Sequence, residues 1–279
     1  MRIENTTGVG ALAVITGASS GLGAEFARRW AHRGYDVALI ARRRDRLDDL
    51  ARELEANGTR VFVLPADLSD PESAHRLAAM IADTSVPVRV LVNCAGFGTA
   101  GAFENEDARR IADEIVVNCL TPTLLTRLLL PALTAAPGGA LVNVSSNASH
   151  QPLPGIAVYG ATKAYLTSLT EAIWQEQRGT GLKVLALCPG PTATEFFDAA
   201  GSDAFAVGSV ATVGDVMRVA FAHLDRDNAG PTVTVGLRNR ITALAVRFAP
   251  KRMTLAVGGK LTRGGTHGSE PVAARQAGG

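Results

Sequence analysis

Four polar residues in the middle of the sequence could together move a proton to or from an oxygen atom. Tyr159 and Lys163 stand four residues apart in a segment with helical spacing, so both lie on one face of a helix. Ser146 ends an apolar run before Tyr159, and Asn118 interrupts another apolar segment. Reducing a carbonyl group requires a hydride at carbon and a proton at oxygen. A tyrosine has an intrinsic pKa of about 10, which a neighbouring ammonium group lowers towards neutrality.

A glycine-rich turn lies between the first apolar run and the amphipathic segment that follows it. Gly17 permits a sharp turn, Gly21 lets the backbone approach a pyrophosphate, and Gly23 allows a helix to pack on its strand. The exposed N–H groups and positive dipole end of that helix would face phosphates. Glycine turns without a ligand also occur between strands and helices, but the complete strand–turn–helix context predicts a dinucleotide site.

The end of the second apolar run bears on which nicotinamide cofactor the chain prefers. An acidic residue there would bind a ribose 2′-hydroxyl and repel a 2′-phosphate. This sequence has Ala41 followed by Arg42, Arg43 and Arg44, and guanidinium groups suit a phosphate by charge and by their forked donors. The alternative is a solvated basic run, although cations at the start of a helix oppose its dipole. The pattern favours NADP(H) over NAD(H), with Arg42 as the contact.

Elements that could position these residues alternate along most of the chain. Runs rich in valine, isoleucine and leucine cover 11–16, 36–41, 60–64, 89–93, 140–144, 183–187 and 232–235. Helical spacing covers 21–32, 44–57, 71–82, 107–135 and 159–178. Nearly continuous apolar strands separated by helices are typical of a parallel sheet covered on both faces. We therefore predict an α/β fold with a doubly wound sheet of about seven strands, and ligands beyond the carboxyl ends of the strands.

Composition narrows the classes of function. Of the 279 residues, 47% are hydrophobic and 19% charged, as in a globular protein, and the net charge of +2 gives no reason to expect a polyanionic partner such as nucleic acid. Three widely spaced cysteines show neither a metal-ligand pattern nor a disulfide framework, so we expect no metal site and a reduced, cytoplasmic setting. No apolar stretch has the length and lack of charge of a membrane span.

The glycine spacing after Thr16, together with Tyr-xxx-Lys, resembles the short-chain dehydrogenase/reductase family over residues 8 to 236. The resemblance implies a single Rossmann-like domain and an oxidoreductase acting on CH–OH groups. One departure is Ser20, where many NADP-using relatives have a basic residue; another is Cys94, where the family motif has a second asparagine. The residues that the resemblance assigns to the cofactor, besides the three glycines and Arg42, are Ser19, Ser20, Leu22, Asp67, Leu68, Asn93, Ala95, Gly96, Tyr159, Lys163, Pro189, Gly190, Thr192 and Thr194.

The resemblance also implies a role for each catalytic candidate. Tyr159 would be the general acid/base, and Lys163 would hold the nicotinamide ribose in addition to supplying charge. Ser146, which has the family spacing to Tyr159, would hydrogen-bond the substrate oxygen, in preference to Ser145. Asn118 would hold a water that links Lys163 to solvent. A homodimer or homotetramer built from the helices at 107–135 and 159–178 is a further implication.

Two of the cofactor candidates have structural alternatives. Asp67 could instead cap the helix that follows it, although Ser69 and Asp70 stand closer to its first turn. Asn93 could tie neighbouring strands together, because a buried amide needs hydrogen-bond partners. Both alternatives stay open at the level of sequence.

The chain changes character after residue 236. The segment 237–263 has no acidic residue, and its basic residues are Arg238, Arg240, Arg247, Lys251, Arg252, Lys260 and Arg263. Ile241, Leu244 and Phe248 recur at helical spacing, which predicts a basic amphipathic helical extension. That apolar face either packs on the domain or lies on an anionic membrane. We expect the glycine-rich tail 264–279 to be disordered.

The substrate side of the sequence is mostly apolar. The segment after Thr194, with Phe196, Phe197 and Phe205, predicts a mobile cover, and 151–156 a second wall. Neither carries a charged anchor, so we expect a hydrophobic ketone, aldehyde or alcohol such as a lipid, steroid-like or acyl compound. The rival function is a non-catalytic NADP-binding sensor or scaffold of the same fold. A methyltransferase is a weaker rival, since it explains the glycine turn but not the four catalytic candidates.

Overall fold

A computed structural model describes residues 10–195 and 210–263, so the expected cover at 196–209 and the tail at 264–279 lie outside the described residues. Seven strands form one parallel sheet in the order β3-β2-β1-β4-β5-β6-β7. The strands are β1 Leu12–Thr16, β2 Asp36–Ala41, β3 Val61–Pro65, β4 Val88–Asn93, β5 Ala140–Val144, β6 Lys183–Cys188 and β7 Thr232–Thr234. The predicted doubly wound α/β sheet is confirmed, with strand ends shifted by one residue at most.

Helices cover both faces of this sheet. They are α1 Gly21–His32, α2 Arg44–Glu55, α3 Ser73–Asp83, α4 Ala108–Ile115, α5 Thr121–Thr134, α6 Ala157–Glu176, α7 Val213–Leu224, α8 Leu237–Phe248 and α9 Lys251–Arg263. On one face, Phe26 and Trp30 of α1 and Phe221 of α7 pack against Ile15. On the other, α3, α5 and α6 pack against the sheet in a second apolar cluster. Burial on both faces explains why the strands read as continuous apolar runs.

The order of the strands places a ligand-binding crevice beside β1. The chain winds outward from β1 to β3 in one direction and from β4 to β7 in the other. Loops leaving the carboxyl ends of β1 and β4 therefore diverge to opposite faces, which opens a crevice between them. The hydroxyl of Thr16, the last residue of β1, accepts hydrogen bonds from the backbone N–H groups of Cys94 and Ala95 at 3.0 and 3.1 Å. This hydroxyl holds the two loops together at the base of the crevice.

The long helix expected at 107–135 is interrupted by a π-helical segment, Val116–Leu120. Pro122, in the first turn of α5, has no backbone N–H to donate to the carbonyl of Asn118, which favours a wider turn here. Contrary to the expectation from sequence, the helical run 108–134 is long and apolar enough by composition to span a membrane. Its Leu125 and Leu133, however, lie fully buried in the protein core, and such core helices share this composition.

The C-terminal extension consists of two helices. Ala249 has extended backbone angles at the end of α8, as expected for a residue that precedes a proline. Pro250 then separates α8 from α9. A Cβ atom on Gly258 of α9 would lie 3.4 Å from the Leu153 side chain and 3.5 Å from the Pro152 carbonyl oxygen, in the wall expected before Tyr159.

The structure contradicts one of the two alternatives for the extension, namely that its apolar face packs on the domain. Ile241, Leu244 and Phe248 point to solvent, whereas Thr242 and Val246 face the domain. Both sets recur with helical spacing, and the face that packs carries the smaller and more polar residues. Hydrophobicity alone therefore does not identify the face that packs on the domain.

Candidate active site

The turn after β1 is a cradle with no room for side chains. Gly17 has φ of +70°, and a Cβ atom on it would lie 2.8 Å from the backbone nitrogen of Ala95. Gly21 has φ of +53°, and its Cβ would meet the Thr194 side chain at 3.0 Å. A side chain on Gly23 would collide with the carbonyl oxygen of Gly17. The turn thus brings the start of α1 against the segments that follow β4 and β6, as expected of a phosphate-binding loop.

The side chain of Arg43 contacts this loop and contributes a positive charge to it. Its guanidinium donates at 3.0 Å to the hydroxyls of Ser19 and Ser20, and at 2.8 Å to the carboxylate of Glu195. These contacts place a positive charge at Ser20, where the sequence itself has no basic residue. The Arg43 guanidinium also lowers the pKa of Glu195. An anionic oxygen therefore fits beside Arg43, and Arg42 lines the same cleft.

Asp67 follows β3 and lines the cleft near Arg42. One of its oxygens accepts from the backbone N–H of Ser69 at 3.0 Å and from the Ser69 hydroxyl at 2.8 Å. These bonds, with the Arg42 charge nearby, lower the pKa of Asp67. The carboxylate thus stabilises its own turn instead of the start of α3, and the whole residue lines the cleft with Leu68.

Asn93 lies below the cleft, in the core. Its amide donates to the hydroxyl of Thr126 at 3.1 Å and to the side-chain oxygen of Asn143 at 2.8 Å. Asn143 in turn donates to Thr170 at 2.8 Å. This chain of bonds ties β4, β5 and the helices α5 and α6 together, and Asn93 is absent from the cleft lining. The placement fits the structural alternative better than the cofactor-binding one.

Tyr159 and Lys163 lie together on α6, both almost fully buried, with Tyr159 hydrogen-bonded to the side chain of Ser146. The Lys163 ammonium donates to the carbonyl of Val144 at 2.9 Å and lies 5.7 Å from the centre of the Tyr159 ring. The expected depression of the tyrosine pKa is absent: burial raises the pKa of Tyr159 to about 12. Burial is the largest cause of this rise in pKa, and the hydrogen bond with Ser146 opposes it. The phenol is therefore neutral at physiological pH.

The two serines at the end of β5 have different surroundings. Ser145 donates to the carbonyl of Lys163 at 2.9 Å and contacts the hydroxyl of Thr167 at 2.6 Å. Ser146 contacts Tyr159 and accepts from the backbone of Ala148 at 3.1 Å. Ser145 thus holds α6 against the sheet, which leaves Ser146 as the hydroxyl beside Tyr159.

Asn118 lies in the π-helical segment, beneath the loop that follows β4. Its side chain donates to the carbonyl of Phe97 at 2.8 Å and accepts from the Phe97 N–H at 3.2 Å. A Cβ on Gly96 would lie 2.9 Å from the Asn118 side-chain oxygen and 3.1 Å from the Lys163 nitrogen. Asn118 therefore clamps this loop close to the lysine, although it does not line the cleft.

A buried acidic group one turn before Asn118 has no counterpart among the expected site residues. Glu114 is fully buried, and one of its oxygens accepts from the backbone N–H and the hydroxyl of Thr99, at 3.0 and 2.8 Å. The same hydroxyl contacts the carboxylate of Glu106. Burial raises the pKa of Glu114 to about 6.

One cleft of about 910 Å³ connects these features. Of the expected cofactor and catalytic residues, all except Asn93 and Asn118 line it. Its apolar lining at the Tyr159 end consists of Phe97, Val117, Ala148, Leu153, Ile156 and Val246. In the described residues, no cluster of side chains has the composition of a metal site.

Helix α8 forms a wall that sequence reasoning missed. The amide of Asn239 packs on Gly190 and donates to the carbonyl of Val235 at 2.8 Å, and a Cβ on Gly190 would lie 2.6 Å from the amide nitrogen. Thr192, two residues further, donates to the Gly190 carbonyl at 3.0 Å. Arg238 also lines the cleft. The only signal in the sequence was the helical spacing of the extension, which does not indicate what its polar face contacts.

Comparisons with known proteins agree with this architecture. A family model described as short chain dehydrogenase matches residues 11–204. A short chain dehydrogenase of Pseudocercospora fijiensis is 35% identical over 188 residues, which cover 67% of this chain and 61% of that protein. The ketoacyl reductase HetN of a Nostoc species is 34% identical over 185 residues, 66% of this chain and 64% of that protein. The chain thus spans less than two thirds of the length of these relatives.

Solved structures show the same fold. A short-chain dehydrogenase from Sphingobium yanoikuyae in complex with NADPH has a TM-score of 0.75 and 32% identity, covering 84% of this chain and 92% of that one. A short chain dehydrogenase/reductase from Burkholderia phymatum in complex with NAD has a TM-score of 0.75 and 25% identity, covering 86% and 93%. Relatives of this fold therefore bind either nicotinamide cofactor.

Proposed function

This chain belongs to the short-chain dehydrogenase family, and we propose that it uses NADP(H) to interconvert a carbonyl group and an alcohol. The observation that carries the proposal is the contact between the hydroxyls of Ser146 and Tyr159, at the cleft formed by the glycine cradle. A protein that only binds a nucleotide has no need of a buried Lys163 beside this pair.

The residues around the glycine turn fit a dinucleotide with a 2′-phosphate. The cradle would be filled by a Cβ atom on any of its three glycines, and the Glu195 carboxylate beside Arg43 occupies the kind of position that a phosphate oxygen would take. We assign the 2′-phosphate to Arg42 and Arg43 together. Thr192 and Thr194 would hold the nicotinamide and phosphate groups, respectively.

Tyr159 supplies the proton in the proposed reaction. When bound, NADPH supplies the hydride that the carbonyl carbon accepts. The phenol, kept neutral by burial, donates its proton to the carbonyl oxygen while the Ser146 hydroxyl hydrogen-bonds that oxygen. The carbonyl oxygen becomes the hydroxyl oxygen of the alcohol. Lys163 stabilises the tyrosinate until the tyrosinate is protonated again. A neutral phenol at physiological pH favours reduction.

The lining of the cleft supports an amphipathic substrate. Phe97, Leu153 and Val246 offer an apolar surface next to Tyr159, which suits a chain of carbon atoms. Arg238 adds the cation that neither the predicted cover nor the predicted wall contained. We therefore assign a 3-oxoacyl compound or a related lipid ketone that carries a negative group, and the name of the ketoacyl reductase among the relatives is consistent with this chemistry.

We also propose a cytoplasmic homo-oligomer. The three cysteines are free thiols in the structure, as in a reduced compartment. The run 108–134 exposes the large apolar residues Ile115, Leu120 and Leu128, and Tyr165 of α6 is exposed as well. Light scattering on the purified protein would give its molar mass. The molar mass of a monomer would contradict the proposed homo-oligomer.

The reaction is tested by titrating the full chain with NADPH and NADH and then following oxidation of the preferred cofactor. The substrate panel comprises 3-oxoacyl thioesters, long-chain ketones and uncharged ketones of similar size. We expect tighter binding of NADPH and turnover that is fastest with the 3-oxoacyl compounds. Binding without turnover across the panel would indicate the sensor alternative, and failure to bind either cofactor would contradict the proposal entirely.

A further inference from the structure

Helix α8 has two opposite faces with different neighbours. Asn239, Thr242, Ala243 and Val246 line the substrate end of the cleft. The opposite face is an apolar stripe that recurs every three to four residues, and its exposed fractions are 71% for Leu237, 60% for Ile241, 60% for Leu244 and 79% for Phe248. Single exposed apolar residues are ordinary, but four in one line mark a contact surface.

Helix α9 also exposes large apolar residues. Met253 and Val257 of that helix are also exposed to more than half of their surface. Gly258, on another side of α9, packs on the wall at Leu153 and Pro152. Both helices are therefore held on the domain by one side and present apolar residues on another.

The positive charge around this surface indicates what kind of partner it binds. Arg240, Lys251, Arg252 and Lys260 are all exposed, and no acidic residue occurs between 237 and 263. A second copy of the same face would bring like charges together. A partner with negative charge at its surface and an apolar layer beneath it matches both properties of the face.

We propose that α8 and α9 lie in the interface of an anionic lipid bilayer, with the stripe Leu237–Phe248 among the acyl chains. The basic residues would then contact the lipid headgroups. Because the other side of α8 lines the cleft, a lipid-borne carbonyl compound would meet the active site next to the bilayer. The docking itself goes beyond the proposed reaction and does not depend on it.

The test uses the full chain and sedimented vesicles of phosphatidylcholine, alone or with about 30% phosphatidylglycerol. We expect the bound fraction to require the anionic lipid, with affinity at least about tenfold higher than for phosphatidylcholine alone. Raising the salt concentration from about 0.1 M to about 1 M should release most of the protein, because it screens the attraction.

Substitutions distinguish vesicle binding through the stripe from nonspecific adhesion of the protein to vesicles. The double change Leu244→Ser and Phe248→Ser should lower affinity for anionic vesicles at least about tenfold, since each removes a large apolar group. Phe103→Ser, at a 66% exposed phenylalanine outside the extension, is the matched control and should bind like the wild type. Arg240→Gln should weaken binding about fivefold. NADPH affinity should be unchanged in all three, so the result is independent of the proposed reaction.

Two outcomes would overturn the proposal. One is a wild-type protein that ignores anionic vesicles, or a double variant that binds them as tightly as the wild type. The other is a wild-type dimer that dissociates in the double variant, measured by light scattering without lipid, which would assign the stripe to a second copy of this chain.

Discussion

The catalytic end of α6 and the outward face of α8 contrast in burial and in polarity. On α6, the polar groups of Tyr159 and Lys163 are buried and contact Ser146 and the Val144 carbonyl. On α8, the apolar side chains from Leu237 to Phe248 stand in solvent. One region buries polar atoms, and the other exposes apolar ones.

The two regions differ in where their interaction partners come from. A buried polar group costs free energy unless it is hydrogen-bonded, so the partners of Lys163 must be supplied by the chain itself. An exposed apolar stripe has no such requirement, and its partner lies outside the chain. Substitutions in the first region should therefore affect folding or chemistry directly, and those in the second should not.

The largest effect on stability is expected at the base of the cleft. Gly17→Ala combines a positive φ with a Cβ 2.8 Å from the backbone of Ala95. We expect a loss of about 3 kcal/mol or more in the free energy of unfolding, measured by urea denaturation, and loss of NADPH binding. Gly58→Ala is the matched control, because Gly58 has φ of +83° but no atom within 4 Å of its Cβ position. It should lose about 1–2 kcal/mol only; equal losses would mean that close packing at Gly17 is unimportant.

Arg43→Ala should have the next largest effect, on cofactor choice. Removing a charge-assisted contact to the 2′-phosphate should weaken NADPH about 10- to 100-fold and NADH about twofold or less, measured by fluorescence titration. Arg44→Ala serves as the control, because Arg44 instead pairs with Asp48 on α2 at 3.6 Å. Equal losses for NADPH and NADH in the Arg43 variant would show that the 2′-phosphate is held elsewhere.

The Glu114→Gln variant tests whether the buried carboxyl of Glu114 makes the stability of the protein depend on pH. The pKa of Glu114 is raised from 4.5 to about 6, so the folded state binds more protons than the unfolded state between these values. The stability that the protonated acid provides is complete below pH 4.5 and is lost as pH rises through about 6.

Glutamine stays neutral and can still accept the two bonds from Thr99. The variant should therefore gain stability over the wild type as pH rises from about 4.5 to 8, by up to about 2 kcal/mol. Thermal unfolding across this range measures the gain, with the exposed Glu104→Gln as control. A difference between wild type and variant that does not change with pH would contradict a raised pKa at Glu114.

The smallest effect is expected on α8. Leu244→Ala should change the free energy of unfolding by less than about 0.5 kcal/mol, because the side chain is exposed. The same substitution at buried Leu125 should cost about 2–5 kcal/mol. If Leu244→Ala were as destabilising as Leu125→Ala, the stripe would be covered by the chain itself and the contrast between the two regions would disappear.

Much of the fold and the cleft follows from local sequence signals. Apolar runs between amphipathic segments predicted all seven strands, because both faces of a parallel sheet are buried. The glycines after Thr16 and the spacing from Tyr159 to Lys163 predicted residues that do meet around one cleft. These features are local or repeat with a fixed period, which is why the sequence reveals them.

Other features depend on distant contacts that no period encodes. Glu114 stands beside apolar residues of α4, and only the fold brings Thr99 to it. In the sequence, Arg43 is one of three adjacent arginines, and only the folded structure shows that it contacts Ser19 and Ser20. On α8, the apolar residues left packing on the domain and contact with a membrane as open alternatives, because hydrophobicity does not distinguish a core from an interface with an external partner.

The role of Tyr159 is tested most directly by Tyr159→Phe, with deuterium followed from 4-deuterated NADPH into a substrate from the panel. The variant keeps the ring but has no proton to donate. We expect NADPH affinity within about twofold of the wild type, and the rate of deuterium transfer to the carbonyl carbon to fall by at least about 100-fold. Transfer at the wild-type rate, with equal cofactor occupancy, would contradict the assignment of Tyr159 as the proton donor.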